Sequence, residues 1–98
     1  MAYRLTRSAE QDLIDIYIEG YRKFGVAQAE AYAEKLKKTF ELLSDFPGLS
    51  RDRDEFKPPV RIHGCGVHVI IYDVDENGDV VIIRIRHGHD DWLVHSSD

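Results

Sequence analysis

The chain has little of what would make it a disulfide scaffold, a membrane protein or a nucleic-acid binder. Cys65 is its single cysteine, so it closes no internal disulfide and builds no zinc knuckle by itself. No apolar run approaches the ~18 residues that a membrane helix needs, and the opening segment MAYRLTRSAEQDL has no apolar signal-peptide core. A cytoplasmic address with no membrane partner is therefore expected. Cationic charge is scarce as well: 13 Lys and Arg against 18 Asp and Glu leave a net charge of −5, which disfavours a direct grip on a long polyanion.

What is present fits one folding unit spanning residues 1–98. The composition, 43% hydrophobic and 32% charged, excludes a disordered chain. A domain of this length buries only roughly 60–65% of its unfolded surface, so a partner would add much to its stability.

Tyr3-Arg-Leu-Thr-Arg7 alternates apolar and polar residues and reads as a strand over about 2–6. Ser8 and Gln11 have the spacing of a capping box, which predicts a helix from there to about Phe24. Leu13, Ile14, Tyr17, Ile18, Tyr21 and Phe24 form its apolar stripe, and Gly25 ends it. A second stripe, Ala29, Tyr32, Ala33, Leu36, Phe40, Leu43 and Phe46, predicts a helix over about 26–46, stopped by Pro47-Gly48. The two make an antiparallel hairpin whose joint apolar face needs a sheet. Residues 47–59, PGLSRDRDEFKPP, read as a surface loop. Strands are expected over about 60–63, 67–74 and 80–87, followed by a short tail over 88–98. The fold class expected is α+β, a helix hairpin packed on an antiparallel sheet that ends in a three-stranded meander.

The register of the last hairpin is open. A three-residue loop, Glu76-Asn77-Gly78 with Gly78 left-handed, puts Val67, Val69, Ile71, Val81, Ile83 and Ile85 on one face. His68, Ile70, Tyr72, Val80, Ile82, Arg84 and Arg86 then share the other. A two-residue Asn77-Gly78 turn sets Ile70, Tyr72 and Val74 beside Val81, Ile83 and Ile85 instead. The first separates apolar from mixed more cleanly and is preferred. In either register Arg84 and Arg86 oppose Ile83 and Ile85, so the helices are expected to cover the isoleucine face. The arginine face would stay open as an apolar docking strip carrying Ile82, with Ile70 and Tyr72 in the preferred register.

Three stretches carry a resemblance: YRLTRSAEQDLIDIYIEGYRKFG, AYAEKLKKTFELLSDFPGLSRDRDEF and VHVIIYDVDENGDVVIIRIRHGHDDW. With the order strand, helix hairpin, meander, the chain resembles the RelE/ParE toxin superfamily of bacterial toxin–antitoxin systems, in its ParE branch. Most specific is an aromatic-containing strand, a turn, and an IIRIRHG strand followed by a polar residue. The resemblance implies a partner antitoxin of the ParD type, with a ribbon-helix-helix DNA-binding half and a segment that wraps the toxin. Operator DNA would then be met only through the antitoxin. ParE-like members are held to act on DNA gyrase, whereas RelE-like relatives cut messenger RNA on the ribosome; the fold alone does not choose.

Each chemistry makes its own demands on the residues. Ribosome-dependent RNA cleavage would use Glu55 as base, Arg61 or Arg84 as phosphate clamp and His87 as acid. Against it, the chain lacks a dense cationic surface and has no tyrosine after Tyr72. His87 and His89 beside Asp90 and Asp91 suit a metal in type, but no second ligand pair has the usual spacing, so no metal or other cofactor is expected. His63-Gly-Cys-Gly-Val-His68 reads as a tight turn with the two histidines facing each other across it, rather than as an activated thiol. Arg51 and Arg53 alternate with Asp52 and Asp54 and are expected to pair with them. A non-enzymatic toxin is the preferred reading; the alternatives are a ribosome-dependent endoribonuclease and a non-toxic relic that only binds its antitoxin. Arg61, Ile70, Tyr72, Ile82, Arg84 and Arg86 are the expected antitoxin contacts; His87, Trp92 and Leu93 are the expected target contacts, with Trp92 either a lid on the helices or an anchor.

Overall fold

Strand β1 (Tyr3–Leu5) leads into helices α1 (Arg7–Phe24) and α2 (Val26–Asp45). A 3-10 turn at Pro47–Leu49 and a loop follow, then strands β2 (Arg61–Cys65), β3 (His68–Val74) and β4 (Val80–His87). The computed structural model describes residues 2–88. The four strands form one sheet in the order β1-β4-β3-β2. β2, β3 and β4 are the antiparallel meander expected. β1 differs: it runs parallel to β4, with Tyr3 opposite Val80 and Leu5 opposite Ile82, so the sheet is mixed. A parallel neighbour requires a long crossover, and the helix hairpin begins that crossover.

The start of α1 corrects the capping expectation. Thr6, not Ser8, is the cap: its Oγ1 accepts the Ala9 amide at 3.1 Å and donates to the Ile83 carbonyl at 2.7 Å. The cap thereby sits two residues earlier, the helix runs from Arg7, and it is tied to β4 at its first turn. Gln11 instead donates to Asp15 along the helix at 2.9 Å.

The β3–β4 connection is the three-residue loop. Asp75 and Asp79 close it through an amide-to-carbonyl bond of 2.9 Å, and Gly78 takes φ +84°, a conformation that costs glycine little. Val74 faces Val80 and Tyr72 faces Ile82, but the ladder then slips: Ile71 faces Arg84 and Ile70 faces Ile85. Ile83 is the extra residue of a β-bulge, which inverts the alternation along the rest of β4.

The side covered by the helices is the reverse of the one expected. Ile70, Tyr72, Val80 and Ile82 have no solvent exposure and pack with Ala9, Leu36, Phe40 and Leu43. Val69, Val81 and Ile83 stay half-buried on the other side, and Val67 is exposed at the turn. Both faces of β3 and β4 are apolar, so alternation says that the faces differ without saying which one the helices take. Because of the bulge, Ile85 joins the core despite its odd number. Tyr72 also spends its hydroxyl internally, donating to the Pro47 carbonyl at 3.0 Å and accepting the Ser50 amide at 3.3 Å. Ile70, Tyr72 and Ile82 are therefore core residues, not the docking strip.

Candidate functional site

The second half of β4 carries most of the polar residues in question, and α1 decides their surroundings. β1 pairs with β4 only as far as Ile82, which leaves the next amides on that edge without a strand neighbour. Asp12 of α1 fills the gap. Its Oδ2 accepts the Ile85 amide at 2.9 Å and Arg84 Nε at 2.7 Å, while Oδ1 accepts Arg84 Nη2 at 3.0 Å. Two parallel bonds from one guanidinium make this the strong, directional form of ion pair. Burial raises the Asp12 pKa, but the bonds from Arg84 and Ile85 together with the charges of Arg84 and Arg86 outweigh it and hold it below the ordinary value. The same bond to Asp12 pushes Arg84 up, against its own desolvation. Arg84 is thus a fastened residue rather than the open arginine expected from the strand pattern. Asp12 is its partner; no spacing rule in the sequence singles it out.

His87 ends β4 directly opposite His68, and the rings meet edge to face with centroids 5.5 Å apart. His68 Nδ1 lies 2.7 Å from the hydroxyl of Tyr32, which also donates to the Cys65 carbonyl at 3.1 Å. Tyr32 comes this close because the β2–β3 turn has Gly66 at φ +60°, where an added Cβ would stand 2.6 Å from the phenol oxygen. Burial raises the Tyr32 pKa, partly offset by backbone bonds from Val67 and His68. His68 and His87 line a cavity of about 400 Å³ together with Ile16, Gly20, Phe24, Ala29 and Val67. Glu19 and Lys23, paired at 3.0 Å, border the same cavity.

The remaining expected residues are dispersed. His63 does not face His68; it sits opposite Ile70 and contacts Ser50 Oγ at 3.1 Å. The turn reading of the Cys65 segment holds, with Cys65 opposite His68 and its sulfur buried 3.4 Å from Thr39 Oγ1. Arg61 donates to the Ser50 carbonyl. Arg53 binds Glu55 at 2.8 Å and Arg51 lies 3.8 Å from the same carboxylate, so these arginines pair with Glu55 rather than with Asp52 and Asp54. The three groups that RNA cleavage would need therefore have different neighbours: Glu55 has Arg53, Arg84 has Asp12, and His87 has His68. Trp92 and Leu93, with His89, Asp90 and Asp91, lie outside the described residues. Among the described residues no group of three or more His, Cys, Asp or Glu side chains is placed to hold a metal, and no helix is long and apolar enough to cross a membrane.

Large apolar side chains are also exposed on the hairpin. Ile14, Ile18 and Tyr21, spaced four and three residues apart on α1, are 51%, 41% and 55% exposed, and Phe24 at its end is 65% exposed. The spacing puts them in one stripe along the helix.

Comparison with known proteins places this architecture. The solved structure described as the chromosomal ParDE TA system from P. aeruginosa superposes with a TM-score of 0.76 at 21% identity, covering 89% of this chain and 95% of that one; it shows the same fold. In sequence, Toxin ParE1 of Caulobacter vibrioides is 36% identical over 85 residues, 87% of this chain and 86% of its own length. Toxin ParE1 of Mycobacterium tuberculosis is 31% identical over 85 residues, 87% of each chain. Residues 3–92 match the family described as the ParE toxin of type II toxin-antitoxin system, parDE, and with the relatives and the fold in agreement, this chain belongs to that family and is the toxin of a ParDE-type toxin–antitoxin system.

Proposed function

We propose that the toxin acts by binding DNA gyrase rather than by catalysis, and that a ParD-like ribbon-helix-helix antitoxin silences it by covering apolar surface on the helix hairpin. The observation that carries the antitoxin half is the exposed stripe Ile14, Ile18, Tyr21 and Phe24. A small chain leaving four large apolar side chains in one row on one helix offers an amphipathic partner segment its matching face. This moves the docking surface from the sheet to the helices, with Arg86 and Arg61 of the expected set retained as proposed contacts for acidic residues. Operator DNA is met through the antitoxin, in keeping with the toxin's net negative charge. His87, Trp92 and Leu93 are the proposed contacts with the target.

The non-enzymatic reading is supported by the way the would-be catalytic groups are occupied. Arg84 has two of its donors on Asp12, and Glu55 is held by Arg53. A phosphate clamp or general base would have to give up those bonds first. The deciding experiment adds purified toxin to gyrase supercoiling and to in vitro translation in parallel. Inhibited supercoiling or trapped cleaved DNA with translation intact is expected; cut messenger RNA with gyrase unaffected would overturn the assignment.

A further inference from the structure

We propose that the outer face of α2 is a second docking surface, built for an acidic amphipathic helix of a partner protein. α2 buries Ala29, Leu36, Phe40 and Leu43. Ala31, Lys35, Lys38 and Leu42 lie on a different side of the helix at three- and four-residue steps, and with Glu34 and Thr39 they line a groove of about 500 Å³. The row continues one turn further to Phe46. There the Leu49 amide donates to the Phe46 carbonyl at 3.0 Å, so the 3-10 turn folds Leu49 back toward the end of the row. Leu42, Phe46 and Leu49 are all exposed. Single apolar residues on a surface are ordinary, but three large ones gathered at one helix end mark a contact surface. None of them belongs to the stripe Ile14, Ile18, Tyr21 and Phe24, so the inference stands apart from where the antitoxin binds.

The charges name the occupant. Lys35 and Lys38 stand on the groove in a chain whose net charge is −5. Among the described residues neither takes part in an ion pair, whereas Arg4, Lys23, Arg53 and Arg84 each have a carboxylate within 3.0 Å. Glu34, one turn before Lys38, borders the groove without pairing with it. From Lys35 to Phe46 the row is roughly 16 Å long, about three helical turns. A partner helix laid along it would set apolar side chains on Leu42, Phe46 and Leu49, and carboxylates about one turn apart on the two ammonium groups.

A second copy of this chain fits less well. An antiparallel contact centred on the groove sets Lys35 of one copy against Lys38 of the other, a like-charge clash. A contact confined to the apolar end leaves the lysines of both copies without carboxylates. An acidic segment satisfies both halves of the row at once.

The test titrates isotope-labelled full-length toxin with a synthetic helical peptide of about 18 residues, leucines on one face and glutamates beside them. A second peptide carries glutamine in place of glutamate. Amide shift changes over residues 31–49 are expected, with the glutamine peptide bound about tenfold more weakly and the glutamate peptide losing affinity as salt rises. Lys35→Glu combined with Lys38→Glu should weaken the glutamate peptide at least about tenfold, and Phe46→Ser should weaken both peptides about tenfold. Circular dichroism confirms that each variant folds. Tyr21→Glu, on the other helix, should leave the changes over 31–49 as they are, which keeps a failure here distinct from a failure of the antitoxin reading. No binding at millimolar peptide, shift changes confined to α1, equal affinity for the two peptides, or undiminished binding in the folded double lysine variant would each overturn the proposal. Self-association that Phe46→Ser abolishes would overturn it too, by making a second copy the occupant.

Discussion

Asp12 and Arg84, 72 residues apart in sequence, are joined by two hydrogen bonds, and the same Asp12 carboxylate takes the Ile85 amide. This one side chain continues, from a helix, the edge pairing that β1 provides only as far as Ile82.

Removing it should therefore act on stability. Asp12→Ala leaves a part-buried amide and a guanidinium without their acceptor, and a loss of about 1–3 kcal/mol is expected. Urea denaturation measures it directly. Arg84→Ala should overlap strongly with Asp12→Ala, so the double variant loses less than the two singles added together. Additive losses would mean that the pair is not a unit.

The same contact predicts an acid response. The folded-state pKa of Asp12 lies below its ordinary value of 3.8, so its contribution is fully present above that value and is lost as pH falls through the lower, folded one. Melting temperature followed downward from pH 5 should fall less steeply in Asp12→Asn than in the unaltered chain, and only in the region below about pH 4. Equal slopes would remove Asp12 from the acid response.

Gly66→Ala should be costly for two separate reasons. The residue needs φ +60°, and its Cβ would meet the Tyr32 ring at 2.6–3.1 Å. A loss of roughly 1–3 kcal/mol is expected, read by thermal melting. A neutral result would show that the phenol can leave the turn without cost.

Stability and antitoxin binding should separate by residue. Ile82→Ala, in the core, should lose about 2–5 kcal/mol. Tyr21→Glu on the exposed stripe should leave melting nearly unchanged but weaken antitoxin binding at least about tenfold, the effect of burying one unpaired charge in an apolar contact. A binding titration with the antitoxin decides this; unchanged affinity in Tyr21→Glu would return the docking surface to the sheet.

Much of the scaffold was legible in order along the chain. Gly25 and Pro47 punctuate two apolar stripes at helical spacing, and α2 runs Val26–Asp45 against an expected 26–46. Gly78 with the flanking aspartates marked a hairpin, with two loop lengths open, and the family resemblance is carried by the strands around it. These features are local: propensity, caps, turns and periodicity act over a few residues and leave their marks in sequence.

What the tertiary structure alone decided is which surfaces meet. β3 and β4 are apolar on both sides, so only the crossover of the helix hairpin made Ile70, Tyr72 and Ile82 core rather than docking residues. The bulge at Ile83 reversed the alternation without any glycine or proline to announce it. Asp12 looked like one more solvated carboxylate until α1 was laid along the edge of β4, and Tyr32 like one more core aromatic until the Gly66 turn came under it. By itself the sequence determined the elements, the presence of the last hairpin and the family, while the length of its loop was decided by the structure. The pairing of residues tens of positions apart depends on how layers pack, a long-range property that a period of two or 3.6 residues does not encode.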